Sequence, residues 1–253
     1  MFPDLFLLNF FLSLRELLSF LPGLFLPCTS AKILENILFF IGFFCFFIII
    51  HNNNMRCGEN LRQIILASGS PRRKMLLEKL GLTFISAPAD IEEKFISEEN
   101  VEDAVKRIAV EKAWAVSREF SEGLLIAADT IVVHKDKILG KPFNEEEAIV
   151  QLSLLSGDWH EVITALCLMD ISNKNCEVQA EHTRVCFRNL SQEEIKAYVK
   201  TGEPMDKAGS YGIQGRGSLF VNRIEGCYFN VVGLPLSTLY TMLKALGVNL
   251  LEV

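Results

Sequence analysis

The chain has 253 residues, of which 50% are hydrophobic and 22% charged, with 25 Lys+Arg against 31 Asp+Glu and a formal charge of -6. This is too apolar for a disordered chain and too charged for a polytopic membrane protein. The acidic excess also argues against a nucleic-acid polymer as partner, because affinity for a phosphate backbone rests on clustered Lys and Arg. A small anionic ligand needs only a few local cations.

Residues 1–54 are unlike the rest. They hold twelve of the nineteen Phe and only five charges, Asp4, Arg15, Glu16, Lys32 and Glu35. The longest apolar run, Ile37 to Ile50, would span about 21 Å as a helix, short of a hydrocarbon core of about 30 Å. Asp4 precedes the first cation, and the run ends in His51-Asn52-Asn53-Asn54, so the grammar of a secretory signal is not met. Runs of Phe, Ile, Leu and Asn are what AT-rich DNA yields when read in frame, and Met55 stands just before ordinary sequence. The favoured expectation is a start codon misplaced upstream, with residues 1–54 outside the fold; a membrane anchor and a targeting peptide are the alternatives. Residues 55–253, with 23 cations and 28 anions, are expected to form one cytoplasmic domain without a membrane partner. The seven Cys form no CxxC pair and the four His lack ligand spacing, so thiols in a reducing compartment are expected rather than zinc or a disulfide framework.

Along the body, strand and helix signals alternate. Gln63–Ala67 reads as a short strand, followed by a helix with Ser70 as N-cap, Pro71 at its first position and Gly81 as its stop. Phe84–Ala87 is a second strand, and Asn100 opens a helix with Val101, Val105, Ile108, Ala109 and Ala113 at helical spacing. Leu124–Ala128 and Ile131–Val133 are strand-like, with Asp129 and Thr130 as a polar interruption. Asn144 with Glu147 signals a capped helix ending at Gly157. Two long strand-like runs, Glu161–Met169 and Val178–Phe187, flank a turn-rich connection and predict a hairpin. Ser191 with Glu194 caps a helix to Gly202, Leu219–Ile224 is a strand, and Pro235–Leu246 a final helix. An antiparallel pair among interleaved helices predicts a mixed α/β sheet covered by helices.

Chemistry concentrates in four stretches. In Ser68-Gly69-Ser70-Pro71-Arg72-Arg73, a strand turns through small hydroxyl residues into a helix, so free N–H groups, a dipole and two guanidinium groups meet at one point. That suits a phosphate chain, although a capped helix with two solvated arginines would look the same. Asp129, after Ala127-Ala128, can hold a hard cation, accept a proton, or merely serve a turn. Gly140-Lys141-Pro142 offers a loop lysine, and Asp206 to Gly215 a glycine-rich loop that approaches something closely. The GxxxxGK[ST] and GxGxxG orders are absent.

Together LASGSPRRKMLL (66–77), AADTIVV (127–133), GKP (140–142) and DKAGSYGIQG (206–215) resemble the Maf family of nucleoside triphosphate pyrophosphatases, over about Gln63 to Gly247. The resemblance implies an elongated mixed sheet flanked by helices, with two lobes around a cleft as in the inosine triphosphatase architecture. It further implies a homodimer, a divalent cation (Mg2+ or Mn2+), and hydrolysis of a nucleoside triphosphate to monophosphate and pyrophosphate. The ending IQG is similar to the branch acting on dTTP and UTP. By the same resemblance Asp129 is the proton acceptor, Arg72, Thr130 and Gln214 govern substrate choice, and Arg73, Glu93, Lys112 and Lys141 form the polar set of the cleft. Ser68 and Ser70 belong with the substrate-binding arginines, and Asp129 and Glu93 offer oxygen ligands to the metal. Gln214 can pair with uracil or thymine, but flipped it pairs with cytosine, so neighbours such as Thr130 or backbone groups must orient it. A nucleotide-binding regulator of cell division without turnover, a different base preference, and a membrane-anchored interaction protein are the competing readings.

Overall fold

The computed structural model describes residues 62–96 and 99–252. The expectation for residues 1–54 lies outside the described residues. A mixed seven-stranded sheet forms the frame, in the order β2-β1-β3-β5-β6-β7, with β4 beside β3. Its strands are β1 (Ile64–Leu66), β2 (Phe84–Ser86), β3 (Leu124–His134), β4 (Lys137–Leu139), β5 (Trp159–Asp170), β6 (Asn175–Phe187) and β7 (Val221–Gly226). β1 runs parallel to β2 and β3, and β3, β5, β6 and β7 are successively antiparallel. Among the described residues six α-helices accompany them: α1 (Pro71–Lys79), α2 (Val101–Ser117), α3 (Glu145–Leu155), α4 (Gln192–Val199), α5 (Tyr228–Val232) and α6 (Leu236–Ala245).

Strand alternation sends successive β3 residues to opposite faces. Leu125, Ala127 and Ile131 pack under α2, whose buried stripe is Val105, Ala109, Ala113 and Val116. Leu124, Ile126, Ala128 and Val132 face the other layer, where α1, α3, α4 and α6 contribute Leu77, Leu152, Ile195 and Leu239. Both faces are covered, so β3 is apolar from Leu124 to Val133 except at Asp129 and Thr130. The two segments expected around that polar interruption are one eleven-residue strand. Ten residue pairs with β5, Leu124↔Asp170 to Val133↔Glu161, hold it straight through the polar pair.

The helix starts follow their caps. Asn100 accepts from Glu102 N at 2.8 Å, Asn144 from Glu147 N at 2.8 Å, and Ser191 with Glu194 forms a full capping box. The Asn144 cap is only half a box, since the Glu147 carboxylate accepts from Phe143 N instead. Ser70 occupies the N-cap of α1 with no side-chain cap bond, which leaves the amides of the first turn available. The structure adds β4, α5 and three 3-10 turns that hydrophobic periodicity is too short to mark.

The glycine-rich loop folds inward at Tyr211, whose ring meets His160 and Phe187 edge-on at centroid distances of 5.3 and 4.8 Å. Its hydroxyl lies 2.8 Å from His160 Nε2. Burial, reinforced by His134 and opposed by Asp158, drives the His160 imidazole down to about 3. The unfolded chain therefore binds a proton at His160 below about pH 6.5 that the folded chain refuses, and this part of the stability falls as pH drops from there toward 3. The expected slope is at most about 1.4 kcal/mol per pH unit. Urea unfolding at pH 7 and pH 5 should show a smaller acid loss for His160→Phe than for the parent, and equal losses would contradict the assignment.

Candidate active site

Between Ile126, where β1 stops pairing, and Val132, where β4 begins, one edge of β3 carries no strand among the described residues. A cavity of about 720 Å³ opens against that edge. It lies beyond the carboxyl end of parallel β1, the usual position for a ligand in an open α/β sheet. Because the edge is open, side chains from both faces of β3 reach the cavity. Its walls include all ten residues singled out from the sequence: Ser68, Ser70, Arg72, Arg73, Glu93, Lys112, Asp129, Thr130, Lys141 and Gln214.

On the α2 face, Lys112 Nζ lies 2.6 Å from Asp129 Oδ1 and 2.6 Å from Glu93 Oε1. Lys112 belongs to the buried stripe of α2, one helical turn from Ile108 and one before Val116. A lysine there is held by its partners, since an unpaired buried ammonium would be costly. Burial pushes the Glu93 carboxyl up, but the Lys112 hydrogen bond and the charges of Lys112, Lys141 and Arg73 outweigh it and hold the group below its usual range.

On the other face, Arg73 is a clasp. Its Nε donates to Gly233 O (2.7 Å), Nη1 to Ser68 Oγ (3.2 Å) and Nη2 to Thr130 Oγ1 (2.9 Å). Three of its five N–H groups are thus used within the protein, joining the turn after β1, β3 and the end of α5, and two carry no bond among the described residues. Burial lowers its pKa, Asp129 opposes this, and Arg72 adds to it. Ser68 Oγ accepts from both Arg73 and Ser70 N, so its own proton is directed elsewhere.

Arg72 turns outward to Asp206 Oδ2 at 3.3 Å. The glycine-rich loop is moored by Gly209 N to Gly140 O (3.2 Å) and by Ser210 Oγ to buried Gln151 (2.6 Å). Gly209 has φ +67, and a Cβ there would meet Val132 Cγ2 at 2.9 Å, so only glycine lets the loop lie against β3. Gln214 is exposed and makes no hydrogen bond among the described residues. The expectation that Thr130 orients it is not met: the Thr130 hydroxyl is bound to Arg73 and Thr164.

Asp206, Lys207, Tyr211 and Gly233 also line the cavity. The first three sit inside the quoted loop motif, whereas Gly233 and the Thr164–Asn230 contacts behind it had no sequence signal. Among the described residues no three His, Cys, Asp or Glu side chains form a metal cluster.

This mixed sheet and cationic cleft with paired carboxylates define the class, and the sequence comparisons give the family. Residues 63–246 match the family model described as Maf-like protein, and the chain belongs to the Maf family. It is 56% identical over 187 residues to the dTTP/UTP pyrophosphatase of Syntrophomonas wolfei, covering 74% of this chain and 99% of that protein. Proteins of the same name from a Geobacillus species and Bacillus cereus are 50% and 47% identical, covering 74% and 76% of this chain and 100% and 94% of their own lengths.

Removing the ammonium by Lys112→Met would leave two carboxylates facing each other, with a stability loss of about 3 kcal/mol at pH 7. The deficit should shrink toward pH 4, because protonation relieves the repulsion that the variant alone carries. Denaturant midpoints across that range check both signs, and a constant deficit would count against the ion triad.

Proposed function

We propose that the chain hydrolyses dTTP and UTP to the nucleoside monophosphate and pyrophosphate. What carries the reading is the meeting of Arg72, Lys141 and the Lys112-bridged Asp129 and Glu93 in one cavity. Relatives bearing that activity's name align over 94 to 100% of their lengths. Cleavage between the α and β phosphates needs a tetra-anionic tail neutralised and a water deprotonated toward phosphorus.

The tail is held by Arg72, Lys141, the free N–H groups of Arg73, the Ser68 hydroxyl and the first-turn amides of α1. Oδ1 of Asp129 is pinned by Lys112, so its other oxygen, free of hydrogen bonds among the described residues, takes the proton of the attacking water. Lys141 and Arg72 stabilise the departing pyrophosphate. Gln214 pairs with N3–H and O4 of the base.

The donor set suits Mg2+ or Mn2+. Glu93 and Asp129 each keep one oxygen free of Lys112, and a hard cation commonly takes one or two carboxylates and completes its shell with water and substrate phosphate. When bound there, it would polarise phosphoryl oxygens and offset their charge. The same reading takes the enzyme as a cytoplasmic homodimer acting on free nucleotides, supported by the family resemblance and the net charge of -6.

The test is a panel of nucleoside triphosphates with Mg2+, scoring pyrophosphate against inorganic phosphate. Pyrophosphate from dTTP and UTP is expected; phosphate alone, or nucleotide binding without turnover, would overturn the proposal. Asp129→Asn should lose at least about 100-fold in kcat while still binding nucleotide.

A further inference from the structure

Two cysteines on adjacent strands bring their sulfurs together away from the cavity. In the β5–β6 ladder Cys167 lies opposite Val178 and Met169 opposite Cys176, so the two cysteines are diagonal neighbours. Both belong to the α2 layer, Cys167 inside its buried cluster and Cys176 packed against it. Their Sγ atoms are 2.7 Å apart. That is closer than two unbonded sulfurs pack, and small rotations about the two Cα–Cβ bonds would bring them to the disulfide length of about 2.05 Å. Cys186 and Cys227, the other described cysteines, have no such partner among the described residues; the Cys186 sulfur turns to Phe187 O at 3.6 Å.

The pair is asymmetric. Cys167 is fully buried, whereas Cys176 is half-buried and one residue from the start of β6. Negative charge is better tolerated on the sulfur nearer water, so Cys167 donates its S–H and Cys176 accepts. The hydrogen bond from Cys167 lowers the Cys176 pKa against the opposing effect of burial, and the same contact together with burial raises that of Cys167. A reachable thiol favoured as thiolate, beside a second and shielded thiol, is the arrangement in which one cysteine is oxidised and the other resolves it.

We propose that Cys167 and Cys176 form a modification site that hydrogen peroxide closes to a reversible disulfide. The Cys176 thiolate attacks one peroxide oxygen and the O–O bond breaks. The sulfur becomes a sulfenic acid, and the departing hydroxide leaves as water with the proton that Cys176 gave up. The Cys167 sulfur then attacks the Cys176 sulfur; the S–S bond forms as the S–O bond breaks, and the second hydroxide leaves as water with the Cys167 proton. Two thiols lose two electrons and one peroxide is reduced to two waters. A dithiol reopens the bond by exchange. A pair of this kind is compatible with thiols that rest in the reduced form. Neither cysteine lines the cavity, so the chemistry is independent of the nucleotide reading. Cys167 nevertheless pairs with Ala127, two residues before Asp129, so the bond forms on the strand that backs the candidate site.

The test is a peptide map of the full chain, reduced, freed of reductant, treated with an equimolar amount of hydrogen peroxide, and alkylated under denaturing conditions. Trypsin cleaves after Lys174, between the two cysteines, so the disulfide is read as two peptides that run together until reduced. That joined pair should appear within a monomeric chain, both thiols should be lost together, and dithiothreitol should restore both. In Cys167→Ser a sulfenic-acid probe should label Cys176, and in Cys176→Ser the Cys167 thiol should survive the same treatment. The map of the parent chain decides the matter if either variant fails to fold. The proposal would be overturned by peptides that stay separate while Cys176 advances to sulfinic or sulfonic acid, by oxidation at Cys186 or Cys227 instead, by both thiols remaining intact, or by a disulfide that joins two chains.

Discussion

A single ammonium group sets the character of the site. Lys112 emerges from the apolar stripe of α2 with its Nζ 2.6 Å from each of two carboxylates contributed by different parts of the chain. Without it, Asp129 and Glu93 would repel each other across a partly dry pocket, and the loop after β2 would lose the link from Glu93 through Lys112 to the sheet. With it, two anions are gathered on the wall of a cavity that Arg72, Arg73 and Lys141 also line. The lysine uses two N–H donors on the carboxylates and leaves the second oxygen of each free of it.

The strand period divides the labour. Asp129 and Thr130 are consecutive, so one belongs to the α2 layer with Lys112 and the other to the opposite layer with Arg73, Thr164 and Gly233. In a fully paired central strand these two faces would never share a ligand. Here β1 ends at Leu66 and β4 starts only opposite Val132, and the bare stretch of edge between them brings both into one hollow.

Much of this is legible in the sequence where local rules act alone. The caps at Asn100, Asn144 and Ser191, the hairpin around residues 171–174 and the mixed sheet follow from side-chain hydrogen bonding and from apolar period. The four motif stretches also converge on one cavity as their chemistry demands. What is not legible depends on partners distant in sequence. Asp129 and Thr130 look like a break in a strand, yet ten pairs with β5 carry β3 through them. Arg73 reads as a solvated or phosphate-binding arginine, but a carbonyl 160 residues away makes it a clasp. Lys112 is the instructive case: a lysine in phase with Val105, Ile108 and Val116 is a visible anomaly, although its partners are not. Thr164 and Asn230 carry no signal at all, since a buried threonine on a strand is ordinary until its hydrogen bonds are counted.

The loop that presents Gln214 has its own internal skeleton. The Glu203 carboxylate accepts from Tyr198 Oη, Arg216 N and Gly217 N, while Lys207 Nζ donates to Glu203 O at 2.7 Å. None of these contacts uses the glutamine. The fingertip can therefore be exchanged without rebuilding the hand, whereas a change at the hydrogen-bonded pair Thr130 and Thr164 would have to carry neighbouring strands with it.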